Sequence, residues 1–359
     1  MANMRAAAII AQAICARSYP RIALAQRSNL HIIAVSARLH SINGYDIIHM
    51  ASVKVRLTAP AITRAMQIYQ GDLAMIPIPE TLPARCLHLC SLASGSKGNC
   101  IYVGCGDTHL LIDCGIPQRD IAAGLSRLSA QLPAPIAASD LSAILISHEH
   151  SDHIRSCVGL ARRHSLPVYA SAGTLAAINC KSPSRSIPDE GMRAISAGQD
   201  FYIGDIGITP FKTPHDATGS LGYRFDAGAA SAAIATDIGR ISDGWLSTVE
   251  GAQLVMLEAN HDEDMLRMGS YPESLKRRIL SDRGHLSNNA CARAAVHLAR
   301  TGTRVILLSH LSEENNTPKL AYDTVCDALL SEGICPGRDV YVGVLSQNHA
   351  SDMFELECE

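Results

Sequence analysis

The sequence predicts an α+β domain in which sheets pack together and helices lie outside them. Three observations carry this. From about Cys86 the chain breaks into short apolar runs separated by Gly, Asp, Ser and Pro, the texture of strands. Helical patterns stand between only some of these runs, so strands follow one another directly in places. A chain of 359 residues that is 47% apolar also has the material for a substantial core, as one large domain or two ordinary ones.

In chain order, strands are expected at "CIYVG", "HLLID", "AILIS", "PVYA", "IGITPF", "LGYRFD", "AAIATD", "LVMLEAN", "RVILLSH" and "VYVGV". Helices are expected at "RDIAAGLSRL", "HIRSCVGLARRH", "NNACARAAVHLAR" and "PKLAYDTVCDALL", with Ser287 placed to cap the third. The first 85 residues read differently. Up to Ile78 their only acids are Asp46 and Asp72, against many arginines. We expect residues 1–85 to be a poorly packed N-terminal extension, a targeting segment or a mis-assigned start, with no part in the chemistry. The working domain is then 86–359.

Composition excludes several classes. A net charge of −3 is not that of a globally basic nucleic-acid binder, although a local basic groove is compatible with it. No uninterrupted apolar run is long enough for a membrane span. The twelve cysteines form no C-x-x-C pair, and Cys86 and Cys90 lack a second pair to complete a zinc knuckle. They read as free thiols of a reducing compartment, the cytoplasm.

The informative pattern is where polar residues fall. "HLLID" ends on Asp113, "AILIS" runs into His148, "ITPFKTPH" reaches His215, "AAIATD" ends on Asp237 and "RVILLSH" ends on His310. Strand ends are where a rigid scaffold converges side chains from distant sequence positions. A lone histidine after a strand is usually structural, but five such endings beside "HEHSDH" point to metal. In that cluster His148 and His150 are two apart, so on extended backbone they point the same way and can grip one ion. Glu149 points away, as a solvated or supporting carboxylate. Asp152 and His153 follow the turn and can face a second ion. Four ligands exceed what one open catalytic metal normally uses, which argues for two.

"HEHSDH" resembles the H-x-H-x-D-H signature of the metallo-β-lactamase superfamily, and "LIDCG" its first motif. "SLASGSKGNC", "ATDIG", "LEANHDEDMLRMGSYPESLKRRILSDRGHLSN" and "LSHLSEENNTP" resemble the YycJ-type (WalJ-type) metal-dependent exonucleases within it, over residues 86 to about 350. The resemblance implies an αββα sandwich with the site at one edge of two sheets. It implies one metal on His148, His150 and His215, and a second on Asp152, His153 and His310. Asp237 would bridge them and Asp113 would orient the site from behind. Two divalent ions, zinc or manganese, are expected.

The metal motif suits phosphodiesters, lactams and thioesters alike. "GHLSNNACA" with His285 resembles the helix-entry motif of the superfamily's phosphodiesterases, including ribonuclease Z, where a strand-ending glutamate, here Glu258, pairs with that histidine. A carboxylate there orients the ring and keeps a proton available for a departing alkoxide. The bland alternative is that His285 only caps its helix. Asp152, His285 and Glu258 are therefore the catalytic candidates, with His261 and Asp262 as further supporting ones. Lys276, Arg277, Arg278 and Arg283 form a basic run before His285 that is either a solvated helix face or a track for phosphates. Lys97 lies in the small-residue loop "SGSKGN", which either admits substrate or is a plain turn. The resemblance to the YycJ-type exonucleases implies nucleic acid as the substrate, DNA degraded from an end in the 5′-to-3′ sense and linked to repair. RNA and small esters or thioesters are the alternatives. No G-x-S-x-G elbow supports serine catalysis.

Overall fold

The computed structural model describes residues 86–358, apart from 133 and 182–185, and four short strands before them. Those strands are β1 (Arg21–Leu24) antiparallel to β2 (Ile33–Ser36), and β3 (Leu39–Ile42) antiparallel to β4 (Tyr45–Ile48). They belong to a unit of their own, Met1–Glu80. The expectation that 1–85 takes no part in the chemistry falls otherwise outside the described residues.

The second unit, Thr81–Glu359, is built on two seven-stranded mixed sheets. The first holds β5 (Cys86–Ala93), β6 (Cys100–Cys105), β7 (Thr108–Ile112), β8 (Ala143–Leu145), β9 (Val168–Ser171), β10 (Met192–Ile195) and β18 (Phe354–Glu357), in the order β10-β9-β8-β7-β6-β5-β18. The second runs in chain order: β11 (Phe201–Ile203), β12 (Ile206–Lys212), β13 (Leu221–Ala227), β14 (Ala230–Ala235), β15 (Leu254–Glu258), β16 (Val305–Ser309) and β17 (Tyr341–Val344). Each sheet is antiparallel on one side and parallel on the other: β7 to β10 in the first, β14 to β17 in the second.

The two-residue period of the strands explains the layering. In β15, Leu254 and Met256 enter the core between the sheets with Leu87, Leu110, Tyr223 and Phe225. Val255 and Leu257 face the other way, onto α8 (Asn288–Arg300) and α9 (Pro318–Ser331) through Cys291, Ala295, Leu298 and Leu329. On the far side α1 (Gln118–Leu128) and α3 (Cys157–His164) cover the first sheet with Ile121, Leu125 and Leu160. Strands covered on both faces read as continuous apolar runs. This is the αββα sandwich.

Three details differ from expectation. The helix expected over 153–164 is two pieces, α2 (Ser151–Ile154) and α3, interrupted where Ser156 binds back to Cys114 and Ile116. Asp152 and His153 thus lie in the first turn of α2. β5, β10, β11 and β18 were not expected; all but β5 are three or four residues long. Four more helices were also missed: α4 (Ala172–Lys181), α5 (Asp243–Val249), α6 (Glu263–Met268) and α7 (Glu273–Ile279). Ser287 does cap α8, its Oγ accepting from Ala290 N at 3.2 Å.

Candidate metal centre

The parallel strands β7, β8, β14, β15 and β16 all end at one edge, where ligands of α/β sheets gather. Asp113, His148, Asp237, Glu258 and His310 come from these ends, and His215 lies three residues beyond Lys212, where β12 ends. Asp113, Asp237 and His310 sit in the left-handed region, with φ of 56°, 56° and 55°. Non-glycine residues rarely adopt it, and three of them around one point mark a strained, over-determined site. The strain is held by hydrogen bonds. His310 N–H donates to Ser94 Oγ at 3.0 Å, and Asn260 Nδ2 donates to the His310 carbonyl at 2.9 Å. Gly115 lets the Asp113 turn approach α2: a Cβ there would lie 1.6 Å from the Asp152 carbonyl oxygen.

The imidazoles share one arrangement. Nδ1 of His148 lies 3.0 Å from Ser147 Oγ, and that of His153 lies 2.7 Å from Asp113 Oδ2. Nδ1 of His215 lies 3.0 Å from the Gly284 carbonyl, and that of His310 lies 2.9 Å from Glu258 Oε1. Four rings are thus anchored through Nδ1 and turn Nε2 inward, as supporting partners do for metal-binding histidines. His150 is reversed: its Nδ1 faces His215 Nε2 at 3.4 Å. Among the described residues, buried His148 Nε2, His310 Nε2 and Asp237 Oδ2 have no hydrogen-bond partner. Such orphans are costly unless a ligand satisfies them.

Donor atoms of His148, His150 and His215 lie within 4.8 Å of one another, as do those of Asp152, His153 and His310. Asp237 stands between the groups, 3.8 Å from His215 Nε2 and 3.5 Å from His153 Nε2. Imidazole nitrogens and carboxylate oxygens in two adjoining sets fit divalent cations. Asp237, Glu258, His285 and His310 also converge. We read this last set as a hydrogen-bonded support, because the Nδ1 atoms of both histidines face the carboxylate.

Glu258 is fully buried and organises that support. Its Oε1 lies 2.7 Å from His285 Nδ1 and 2.9 Å from His310 Nδ1, while Oε2 accepts from Ile238 N and Leu286 N. Burial pushes its carboxyl up, but the His285 charge and the bonds from His285 and His310 hold it well below the usual range. Burial lowers His148 well below the usual imidazole range, reinforced by His153 and His215. Burial also acts against the charge on His310, yet Asp237, Asp152 and Glu258 around it lift it to about 10. The same contest, led by Asp113 and Asp237, lifts His153.

The other expected residues are placed as follows. Glu149 is buried, accepting from Thr218 N and Oγ1 and from Thr174 Oγ1, so it supports the loop after His215. Arg278 pairs with Asp216, Arg283 donates to the His215 carbonyl, and Lys97 pairs with Glu313 at 2.6 Å. Lys276 donates to the Arg267 carbonyl, whereas Arg277 is exposed. Asp262 caps α6 through Asp264 N and Met265 N. His261 is 1% exposed, with both ring nitrogens unpartnered among the described residues, and burial lowers it to about 4. Sequence reasoning missed Ser94, Asn99, Ser147 and Asn260. Asn99 Nδ2 lies 3.1 Å from His153 Nε2, so "SGSKGN" buttresses the site. Small polar residues in loops carry no periodic signal that would have singled them out.

Comparison with known proteins agrees with this geometry. The Beta-lactamase superfamily domain matches residues 108–311. The chain is 39% identical over 252 residues to exodeoxyribonuclease YycJ of Bacillus anthracis, covering 70% of this chain and 92% of that protein. It is 37% identical over 265 residues to exodeoxyribonuclease WalJ of Streptococcus pneumoniae, covering 74% and 96%. Among solved structures, the metallo-β-lactamase fold protein YhfI of Bacillus subtilis aligns with a TM-score of 0.53 at 19% identity, over 75% of this chain and 99% of that one. Zinc-bound PqqB of Methylobacterium extorquens aligns at 0.54 and 18%, over 74% and 99%. These two likenesses show the fold. The matched domain, the curated relatives and the sandwich together establish that the chain belongs to the metallo-β-lactamase superfamily of metal-dependent hydrolases, in the group of the YycJ and WalJ exodeoxyribonucleases.

Proposed function

We propose that this protein is a dinuclear metal-dependent phosphodiesterase that degrades DNA from an end, in the 5′-to-3′ direction, in the service of DNA repair in the cytoplasm. The observation that carries the hydrolytic part is the set of anchored imidazoles turning unpartnered nitrogens toward buried carboxylates. The DNA part is supported by relatives named exodeoxyribonucleases at 37–39% identity. Free cysteines throughout the described residues support a reducing compartment, and no described helix is long and apolar enough to cross a membrane.

One cation would be held by His148, His150 and His215, the other by Asp152, His153 and His310, with Asp237 shared; zinc or manganese suits these donors. Bound there, the ions supply Lewis acidity and lower the pKa of an attacking water. Asp113 holds His153 in the tautomer that presents Nε2. Asp152, whose side chain is 24% exposed, accepts a hydrogen bond from the attacking water and orients it. His285, 18% exposed and fixed through Nδ1 by Glu258, holds a proton at Nε2 for the leaving oxygen. Arg277 has no ion-pair partner among the described residues and can take a phosphate, while Arg278, Arg283 and Lys97 must exchange present partners to reach one.

A labelled panel of single- and double-stranded DNA, RNA and a chromogenic lactam, with chelation and metal add-back, tests this. Metal-restored release of nucleotides from DNA ends is expected. Preferential lactam or thioester cleavage with inert nucleic acids would defeat the proposal.

A further inference from the structure

An open cleft of about 570 Å³ lies between the loop after β14, which also carries Asp237, and the outer face of α8. Its lining includes Arg240, Ile241, Leu246, Ala290, Arg293 and His297. Ala290, Arg293 and His297 recur at helical spacing and therefore share one face of α8. The floor is apolar, from Ile241, Leu246 and Ala290. The rim is cationic: Arg240 and Arg293 are both exposed. The nearest carboxylate to Arg240 is that of Asp282, at 4.0 Å and itself 85% exposed. Among the described residues Arg293 has no ion-pair partner. The cations expected from sequence contrast with this, since Arg278 and Lys97 are paired with carboxylates.

The cleft shares its supports with the metal centre. Arg240 follows Asp237 by three residues, and its loop is pinned by Gly239 N to the Pro214 carbonyl at 2.8 Å and by Trp245 Nε1 to the Arg240 carbonyl at 3.1 Å. Ile238 N, in the same loop, donates to Glu258. The opposite wall, α8, begins three residues after His285 and rises about 1.5 Å per residue, so Ala290 to His297 spans roughly 10 Å leading away from it. Exposed arginines on a helix are usually only solvated. Here one on α8 and one on the loop after β14, the latter no nearer than 4.0 Å to Asp282, flank an apolar floor of small-ligand volume, in a chain of net charge −3.

We propose that this cleft is a nucleotide subsite, which rests on the phosphodiesterase reading above. A nucleotide of the DNA strand, outside the bond being cleaved, lays its base on Ile241, Leu246 and Ala290, and Arg240 and Arg293 take its phosphate. His297, 2.5 Å from Glu250 through Nε2, closes the far end.

The test compares the metal-loaded wild type with Arg240→Ala/Arg293→Ala and with Arg162→Ala/Arg163→Ala, a control pair on α3. Each is assayed on a single-stranded DNA oligonucleotide across a salt series and on bis(p-nitrophenyl) phosphate, which is too small to reach the cleft. Losing the contact to that phosphate should raise KM for DNA about tenfold at low salt and flatten its log–log salt slope by about 0.7, the value for one phosphate on a single strand. The ratio of DNA to small-substrate efficiency should fall accordingly, and the control pair should leave it unchanged. An unaltered KM and salt slope, in a wild type that digests DNA, would overturn the subsite alone. An equal fall on both substrates would also overturn it, assigning the arginines to the fold. A wild type that digests no nucleic acid would overturn the functional reading, and the subsite with it.

Discussion

At the residue scale, Glu258 links two jobs that the sequence presented separately. One oxygen, Oε1, holds both His285 and His310. Sequence reasoning treated Glu258 only as support for His285, which implies that Glu258→Gln should cost less than His285→Ala. Because Oε1 also holds His310, the geometry argues against that order. His285→Ala should slow DNA cleavage by about 10²–10⁴-fold while both metals stay bound. Glu258→Gln should match that loss and also weaken the ion on His310 by about 10–100-fold, the usual cost of losing a ligand's supporting partner. Metal content measured beside nuclease rate decides between the two orders. Full activity of His285→Ala with both metals retained would reduce His285 to a helix-entry residue.

At the element scale, the turn after β7 and helix α2 must interlock for Asp152 and His153 to reach the site. Asn99 N donates to the Asp152 carbonyl, and Cys114 N to the His153 carbonyl, both at 2.8 Å. Gly115 is the contact point, where an added methyl meets backbone and cannot be accommodated by a rotamer change. Gly115→Ala should destabilise the protein by about 3 kcal/mol, the upper part of the overpacking range, and release metal from the Asp152 side first. Denaturant unfolding and metal titration of the variant measure both effects. Wild-type metal affinity would show that the turn moves independently of α2.

For the whole molecule, metal and proton both act on stability. A ligand bound only by the folded state at 100 times its Kd adds about 2.7 kcal/mol. Saturating zinc or manganese should therefore raise the melting temperature by about 5–10 °C, and chelation should reverse it. An unchanged melting temperature on loading would count against the ion sites. Protons act through His261, lowered by burial to about 4 from an ordinary value near 6.5. Between these pH values the unfolded chain takes the proton and the folded one does not. Stability therefore falls as pH falls through this window, by about 3 kcal/mol in all, and levels off below it. The wild-type-minus-His261→Leu difference in unfolding free energy should carry this dependence; a difference that is flat from pH 7 to pH 4 would refute it.

Local signals in the sequence carried the strand-rich domain from Cys86 and the candidate ligands at five strand ends, because apolar runs and the polar residues that end them are read without knowing the fold. The pairing of Glu258 with His285 came from the resemblance to the superfamily's phosphodiesterases, and the folded chain shows it at 2.7 Å. Tertiary structure decided what those signals cannot carry. Short edge strands such as β10 and β18 are fixed by the neighbours they pair with, not by their own pattern. The break between α2 and α3 depends on bonds to a distant turn. Arg278 and Lys97 looked free as a charge run and a loop lysine, and only folding brought Asp216 and Glu313 against them. Arg240 and Arg293 carried no signal in sequence, since they are 53 positions apart. Folding places them on one cleft because the loop after β14 and the face of α8 pack over the same sheet.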